Sequence, residues 1–308
     1  MSTKKDIKVI INPHFVASAL WISSFQEPFS PQAISRGNYA AKRGVPRLLE
    51  VLKEYDLPST WAAPIHSLES YPKATEMLLD AGVELVPNGY LHEIPALLSR
   101  EQESDMLDKE IEVITKLTGK KPVGRVAPNW NLSPNSIDLL LEKGFTWESS
   151  QMEDDFHPYY LRKGDTWNGP DYEKPAAEWM HPWKAGEEVD LVEIPANWHL
   201  DDSPLVNFAL MIPNSYGWAT SEQIESLWKD QFDWAYENLD DAIVPLYLHP
   251  MAAAKPHVLK MLDRLIQHMI VLDGVRFVTM GEAAEDFRAK HPFGKKPAKK
   301  VKDEPSGL

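Results

Sequence analysis

Short apolar runs alternate along most of the chain with segments whose apolar residues recur at helical spacing. The apolar runs predict strands at residues 7–11, 59–63, 83–86, 123–127, 146–149, 190–194, 243–248 and 276–279. Helical patterns lie between most of them; one begins at the capping box of Ser99 and Gln102, and another begins at Pro256. Strands that alternate with helices are typical of β-α units around a parallel sheet, so the pattern predicts an α/β fold.

Three segments depart from this alternation. Residues 35–39 are polar and predict a loop, whereas residues 150–189 combine many aromatic side chains with prolines and little periodicity. A loop as long as the second one is usually functional, so it predicts either a pocket wall or an excursion that packs its own aromatic side chains. The lysine-rich residues 291–308 predict a disordered tail after one domain that spans residues 1–290.

Composition excludes several classes of function. The formal charge of −14 argues against binding to nucleic acid or to an anionic membrane, because both require clustered cations. The absence of cysteine excludes disulfides, a thiolate nucleophile and a cysteine-ligated zinc ion. The chain starts without the apolar segment of a signal peptide, and no apolar run approaches the ~20 residues of a membrane span. We therefore expect a cytoplasmic protein that acts on a small molecule.

Polar side chains follow most of the predicted strands. They are Asn12, His14, Asn88, His92, Asn129, Asn197, Asp202 and His249. The carboxyl ends of parallel strands converge on one mouth of a β/α barrel, so these side chains predict an active site there. The adjacent pair Asp201 and Asp202 offers a base, but neighbouring residues point apart in an extended chain, and we expect the pair to cap a loop instead.

The loop after the third predicted strand carries a recognisable motif. The run Gly82-Val-Glu-Leu-Val-Pro-Asn-Gly-Tyr-Leu-His-Glu93 resembles the metal-binding motif of the polysaccharide deacetylase (NodB-homology) family. Further matches are Ser35-Arg-Gly37, Gly44-Val-Pro-Arg-Leu-Leu49, Leu117-Thr-Gly-Lys120, Gly144-Phe145, Glu193-Ile-Pro-Ala-Asn-Trp198 and Leu248-His-Pro250. Together they resemble a cytosolic branch that includes peptidoglycan deacetylase-like proteins and cyclic-imide hydrolases.

The resemblance implies a fold and an activity. Family members have an irregular (β/α) barrel and hydrolyse an amide with a metal-bound water. Relatives in this branch tend to form homo-oligomers. The predicted helix at residues 221–238 carries an apolar stripe with Trp228 and Trp234, which indicates either core packing or such a subunit interface.

The family roles can be carried over one position at a time. Asn12 matches the aspartate that serves as base, and His14 matches the aspartate that binds the metal. Asn88 and His92 match the two metal-binding histidines, and His249 matches the histidine that donates a proton. By the same resemblance, the arginine that orients the base would fall near Arg125 or Val126.

These replacements predict a weakened metal site. Asn12 offers an amide that cannot accept a proton near neutral pH. Hydrolytic zinc sites use three protein ligands, and His14 with His92 supplies only two imidazoles and no anion. We therefore expect no tightly bound metal; a weakly held divalent metal such as zinc would use His14 and His92. Zinc ionises its own bound water, so such a site would be weakened and not silent.

The residues therefore predict a set of roles. The predicted catalytic residues are His249, His92, His14 and Asn12, and the predicted substrate-binding residues are Asn88, Tyr90, Asn129, Trp130, Asn197 and Trp198. The leading hypothesis is hydrolysis of a C–N bond in a small amide or cyclic imide by histidine acid–base chemistry. Three alternatives stay open: a metal-dependent deacetylase that uses His14 and His92, a metal-free lyase or isomerase, and a non-catalytic binding protein.

Overall fold

The structure, a computed structural model, describes residues 5–25, 30–208, 217 and 219–295. Its strands are β1 (Asp6–Pro13), β2 (Thr60–Ala63), β3 (Glu84–Pro87), β4 (Gly124–Val126), β5 (Trp147–Ser149), β6 (Tyr159–Lys163), β7 (Glu187–Glu193), β8 (Asp241–Leu248) and β9 (Val275–Val278). Its α-helices are α1 (Pro31–Tyr39), α2 (Val45–Glu54), α3 (Ile65–Ser70), α4 (Pro72–Asp80), α5 (Arg100–Thr118), α6 (Ser136–Glu142), α7 (Ser203–Val206), α8 (Ser221–Asn238), α9 (Pro250–Ala253), α10 (Pro256–Ile270) and α11 (Met280–Lys290). The predicted alternation of strands and helices is confirmed.

The strands form three small sheets that follow one another around the core. Their strand orders are β8-β1-β9, β2-β3 and β4-β5-β7-β6, and every pairing is parallel except that of β6 with β7. A bridge between His14 and Ala62 joins β1 to β2, and a bridge between Asp201 and Tyr247 joins the segment after β7 to β8. This is an irregular (β/α)-barrel arrangement in which the strand ends named above meet at one edge.

Local sequence signals explain several helix boundaries. Helix α5 starts at the predicted capping box, in which the Ser99 hydroxyl accepts from the Gln102 amide and the Gln102 side chain accepts from the Ser99 amide. It ends at Gly119, which has a φ of +74°. Helices α8 and α11 begin with the same box at Thr220 and Thr279. These caps satisfy backbone N–H groups that no helix can pair internally.

Two predicted loops are wrong in part. Residues 35–39, predicted as a polar loop, belong to α1, which continues through a π-helical turn (Ala40–Gly44) into α2. The segment 150–189 contains β6, which pairs with the edge of the sheet. In the same segment, Trp167 and Tyr172 are 74% and 88% exposed, and the Tyr172 ring lies against Trp179, so these two aromatic side chains do not form a wall of the histidine site.

The first residues of the predicted tail, 291–295, are among those that the structure describes. Tyr160 donates from its hydroxyl to the His291 carbonyl over 2.7 Å, and the rings of Tyr160 and Phe293 lie 5.1 Å apart. Ordered packing therefore extends five residues past the predicted domain boundary at 290, and residues 296–308 lie outside the described residues. The tail prediction stands only for those residues.

The apolar stripe of α8 packs inside the chain. Trp228 is fully buried in the main hydrophobic cluster, so it belongs to the core and cannot form a subunit interface. Trp234 is 44% exposed and its ring is stacked on that of Phe156. The homo-oligomer stays a prediction. In the described part of the chain, no helix has the length and apolarity that crossing a membrane requires.

Candidate active site

A buried histidine and two aspartates form the centre of the site. His249 follows β8 directly, and its Nδ1 lies 2.8 Å from Asp202 Oδ1 and 3.4 Å from Asp201 Oδ1. The backbone fixes this geometry, because the His249 amide donates to both Asp202 oxygens over 3.0 Å and the Asp202 amide donates to the Tyr247 carbonyl over 3.1 Å. The adjacent carboxylates therefore face one imidazole, and the expectation that Asp201 and Asp202 point apart is wrong.

The two carboxylates hold His249 in its charged form. Burial alone would lower the pKa of His249, but Asp201 and Asp202 outweigh burial and raise that pKa to about 10. Burial raises the pKa of Asp202 to about 6, which His249 opposes and Asp201 supports. Near neutral pH the proton therefore resides on the imidazole. With Nδ1 bonded to Asp202, the Nε2–H of His249 is the donor left for another group.

His14 is a second histidine of the site, and it is neutral. The centroids of the His14 and His249 rings lie 5.2 Å apart. Burial, and then the charges of His249 and His92, lower the pKa of His14 well below its usual value. His14 Nε2 lies 2.6 Å from Asn12 Oδ1, and because that oxygen only accepts, Nε2 carries the hydrogen. Nδ1 of His14 is then the nitrogen that can take a proton.

Asn12 is held at both ends of its amide. Its oxygen accepts from His14, and its nitrogen donates to the Thr60 carbonyl over 2.5 Å, which ties the end of β1 to β2. Asn12 therefore fixes the tautomer and the position of His14. The structure gives it a positioning role beside the reacting groups and not the role of a base.

His92 and Asn88 come from the loop after β3. His92 Nδ1 lies 2.8 Å from the Ser24 hydroxyl, and burial followed by the charge of His249 lowers the pKa of His92 to about 3. The Asn88 amide nitrogen donates to the Val126 carbonyl over 2.9 Å, whereas its oxygen is buried without a hydrogen-bond partner among the described residues. Unpaired buried acceptors are uncommon, so this oxygen is available to a ligand N–H group or a water.

Aromatic side chains cover the histidines. The Trp130 ring lies 6.4 Å from that of His14 and 4.7 Å from that of Tyr247, measured between centroids. Trp198 packs on Trp130 at 4.4 Å and is 46% exposed. The indole pair therefore forms the outer wall of the site, which excludes water from one side of the imidazoles.

The backbone around the site is strained. Non-glycine residues with positive φ are Ala17 at 44°, His92 at 61°, Asn129 at 53° and Trp130 at 49°, in addition to Asp56 elsewhere. Such conformations cost roughly 1–3 kcal/mol each and persist where the surroundings fix them, often at functional sites. Their position in the loops that carry His92 and Trp130 supports the assignment of the site to this edge.

The structure brings most of the predicted residues together, but not all of them. Asn129 contacts the site through its donation to the Ser24 hydroxyl over 3.2 Å. Tyr90 instead donates to Glu69 and packs beside His66, away from the histidines described above. Asn197 uses its oxygen to accept from the His199 amide and its nitrogen to donate to Gln231. The predicted substrate-binding roles of Tyr90 and Asn197 therefore have no support in their contacts.

Neither ligand set fits a tightly held metal ion. The site of His14, His92 and Asn88 supplies two imidazoles and one neutral amide, whereas catalytic zinc sites hold the ion with three ligands from histidine, aspartate, glutamate or cysteine. Asp201, Asp202 and His249 have ligand atoms within 4.8 Å of one another. However, those atoms are bonded to each other, and Asp201 Oδ1 also accepts from the Ser203 amide over 2.6 Å. A cation there would have to displace the proton of His249 Nδ1.

Replacing Asp202 with Asn is expected to lower the pKa of His249 by at least about one unit, because the variant removes the carboxylate nearest to Nδ1. The measurement is the titration of the His249 ring by NMR between pH 5 and 11. Asp233→Asn is the matched control, since Asp233 pairs with His268 on the surface. An unchanged His249 titration in Asp202→Asn would refute the assignment of the proton.

A second buried carboxyl pair lies beneath the site. Glu148 and Glu193 are fully buried on β5 and β7; burial, then the charge of Glu148, raise the pKa of Glu193 well above its usual value. Because the pKa of Glu193 is raised in the folded protein, its contribution to stability falls as pH rises above about 4.5. Two carboxyls this close cannot both ionise without repulsion.

Glu193→Gln is expected to stabilise the protein relative to the wild type more at pH 8 than at pH 5, because the variant removes the carboxyl whose raised pKa makes folding less favourable as pH rises. The Gln oxygen still accepts from the amides of Ser150 and Gln151. Urea unfolding at pH 5 and pH 8 measures this. Glu110→Gln is the contrasting variant, because it leaves buried Arg125 unpaired and should destabilise the fold at both pH values.

Comparison with known proteins identifies the family. The model of the polysaccharide deacetylase family matches residues 37–147. A peptidoglycan deacetylase of Helicobacter pylori is 44% identical over 94% of this chain and 98% of the relative. A peptidoglycan deacetylase-like protein of Gibberella zeae is 34% identical over 92% of this chain and 87% of the relative.

Solved structures agree with this match. A Mycobacterium smegmatis protein assigned to the polysaccharide deacetylases has a TM-score of 0.79 with 25% identity, covering 99% of this chain and 97% of the other. An allantoinase has a TM-score of 0.75 with 19% identity over 95% of this chain and 94% of the other, which shows a shared fold. The chain belongs to the polysaccharide deacetylase (NodB-homology) family and has the α/β fold of its hydrolase-type enzymes.

Proposed function

We propose that this protein hydrolyses an amide C–N bond with a pair of histidines, without a tightly held metal ion. The observation that carries the proposal is the buried His249, charged by Asp201 and Asp202, with neutral His14 at a ring distance of 5.2 Å. One ring holds a proton to give and the other has a nitrogen to receive one. Such a pair suits acid–base catalysis near neutral pH.

The two rings divide the proton transfers between them. His14 Nδ1 takes a proton from a water whose oxygen bonds to the amide carbon, and His249 Nε2 gives its proton to the nitrogen as the C–N bond breaks. His14 then returns its proton to His249, so the products are a carboxylic acid and an amine. After the first transfer both rings are charged and the adduct oxygen is negative, and the pair returns to a charge of +1 when His249 gives up its proton. The charge of His249 lowers the basicity of His14, so proton transfer to His14 must accompany the attack of the water oxygen on the amide carbon.

Other groups position the amide. Asn88 Oδ1, the buried acceptor without a partner, can accept from a substrate N–H. Trp130 and Trp198 wall the site against bulk water, which strengthens the electrostatic interactions inside it. Histidine acid–base chemistry contributes roughly 10²–10⁴-fold in rate, so turnover should be slower than that of relatives with a complete metal site.

The substrate class is proposed from the relatives and from the site. The two curated relatives are named as a peptidoglycan deacetylase and a peptidoglycan deacetylase-like protein, which favours an N-acetylated sugar as the amide. The sequence-based expectation was a small cytoplasmic amide or cyclic imide. Both substrate classes present the same C–N bond, so the assay decides between them, and the cytoplasmic location stays a prediction.

The test is an assay of the purified protein against N-acetylglucosamine oligomers and against a panel of small amides and cyclic imides, with and without EDTA. We expect turnover of one class that EDTA does not reduce and that falls at least about 10²-fold in His249→Gln. His268→Gln is the matched control on the surface and should keep full activity. Activity that EDTA abolishes would refute the metal-free mechanism.

A binding protein without catalysis is the second candidate. It is favoured by Asn12, whose amide is fixed at both ends and supplies no base. Saturable binding of an N-acetylated sugar or amide, with no turnover in either panel and unchanged affinity in His14→Gln, would support this function over hydrolysis.

A further inference from the structure

A cavity of about 590 Å³ opens beside the histidine site, between α1, α7 and α9. Its lining includes Ser35, Arg36, Tyr39, Val206, Met251 and Lys255. It shares two walls with the active site, because α7 begins after Asp202 and α9 begins after His249. Neither His14, His92 nor His249 lines it, so it is a separate compartment. Its volume lies in the range of small-molecule sites.

The cavity collects positive charge. Arg36 and Lys255 line it, and Arg47 stands behind it, donating to the Tyr39 hydroxyl over 3.0 Å and to the Ala254 carbonyl over 3.1 Å. No aspartate or glutamate is among the described residues that line it. This is a local reversal in a chain whose formal charge is −14. Cations that line a cavity favour an anionic ligand.

Lys255 forms no ion pair with a carboxylate among the residues that the structure describes. Its Nζ lies 3.5 Å from the centroid of the Tyr39 ring, and no carboxylate of the described part of the chain lies within ion-pair distance of it. Lys8, by contrast, is paired with both Asp6 and Asp241. Burial, and then the charges of Arg36 and Arg47, lower the pKa of Lys255. A bound anion would supply the missing compensation.

The remaining walls are apolar. Val206, Ala219, Met251 and Ala252 line the cavity next to the Tyr39 ring. An inorganic ion alone would leave these side chains without contacts, whereas an aromatic or aliphatic group would bury them. The cavity therefore fits a ligand with a charged end and an apolar body.

We propose that this cavity binds a small organic anion, a carboxylate or a phosphate ester with an apolar body, and that Lys255 contacts its anionic group. The site is separate from the histidines, and the proposal does not depend on the proposed hydrolysis. It adds a second small-molecule site, specific for an anion, beside the histidine site.

Isothermal titration of the full chain with benzoate, phenyl phosphate and inorganic phosphate tests the proposal. We expect saturable binding of benzoate or phenyl phosphate that is at least about tenfold weaker in Lys255→Met, a loss of roughly 1.4 kcal/mol. Lys260→Met, at an exposed position of helix α10, which begins directly after Lys255, is the matched control and should bind like the wild type. Lys255→Arg should retain affinity, because it keeps the charge.

Four results would overturn the proposal. The first three are equal affinity of Lys255→Met and the wild type, equal affinity for the neutral analogue benzyl alcohol, and no saturable binding of either organic anion at millimolar concentration. If inorganic phosphate binds as tightly as phenyl phosphate, the apolar walls play no part and the assigned ligand class is wrong. The two ligands distinguish a carboxylate from a phosphate ester.

Discussion

Replacing His249 with Gln is expected to lower the free energy of unfolding by about 3–5 kcal/mol at pH 6.5. The variant removes the cation that faces Asp201 and Asp202, and both carboxylates stay buried, at 3% and 0% exposure. Removing one partner of a buried ion pair is costly at about that magnitude, because the charge that is left has no compensation. Urea unfolding at several pH values measures the difference.

The pH dependence of this difference is fixed by the pKa of His249. That pKa is about 10 in the folded protein and near 6.5 when the ring is exposed. The stabilisation is therefore fully present below pH 6.5 and is lost as pH rises through about 10. Wild type and variant should converge over this interval. A difference that stays constant from pH 6.5 to pH 10 would show that His249 is not charged in the fold.

The double variant His249→Gln with Asp202→Asn is the control for this interpretation. It removes the cation together with the carboxylate that lies 2.8 Å from it. If the loss comes from uncompensated charge, the second substitution should recover part of the stability lost in the single variant. If the loss comes only from packing of the ring, the two substitutions should simply add.

Restoring the acidic groups is expected to create a zinc site. The triple variant Asn12→Asp, His14→Asp and Asn88→His would supply one carboxylate and two imidazoles beside a second carboxylate, which is the ligand set that the family resemblance implies. Three ligands from histidine and aspartate are the pattern of hydrolytic zinc sites. We expect one equivalent of zinc per chain, bound at least about 10³-fold more tightly than by the wild type, in competition titrations with a chelating dye.

The control for this variant is Asn12→Asp alone. Asn12 is a base position by the resemblance and not a metal ligand, so this single change should leave zinc affinity nearly unchanged. The Thr60 carbonyl then loses its donor from the Asn12 amide, and some stability is lost with it. Zinc affinity that is equal in the triple variant and the wild type would show that the site's geometry, and not its residue types, prevents metal binding.

The sequence predicted the centre of the site because strand ends converge. Asn12 lies at the end of β1 and His14 follows it, His249 follows the neighbouring parallel strand β8, and His92 follows β3 on the same edge. Parallel pairing places the carboxyl ends of the strands at the same edge, independently of the conformation of the loops that follow them. The capping boxes of α5 and α8 were visible for a similar reason, since each depends on residues only three apart.

Other parts depend on contacts that no local pattern records. Asp201 and Asp202 face one imidazole because the backbone bridge to Tyr247 bends the chain there, and alternation in an extended strand gives no hint of it. Ser24 and Tyr247 reach His92 and His14 from distant positions. The run Leu200-Asp-Asp202 could have predicted this contact, because two adjacent acidic residues that follow a barrel strand are candidate partners for a histidine at the same edge.

Two errors have clear physical causes. Residues 35–39 looked like a loop because polar residues surround Gly37, but Gly37 packs within van der Waals contact of Ser18 and leaves no room for a Cβ, so the glycine serves close helix packing. Strand β6 was hidden because it pairs only at an antiparallel sheet edge, where burial is incomplete and apolar alternation is weak.

The proposed mechanism requires a site in which amides and imidazoles replace the carboxylates that the family resemblance implies, and which works without a tightly held metal. The most direct measurement is elemental analysis of the wild-type protein after exposure to equimolar zinc and gel filtration, combined with the activity assay in EDTA. The account predicts far less than one zinc per chain and activity that EDTA leaves intact. One retained zinc per chain, with activity that disappears in EDTA and returns with zinc, would contradict it.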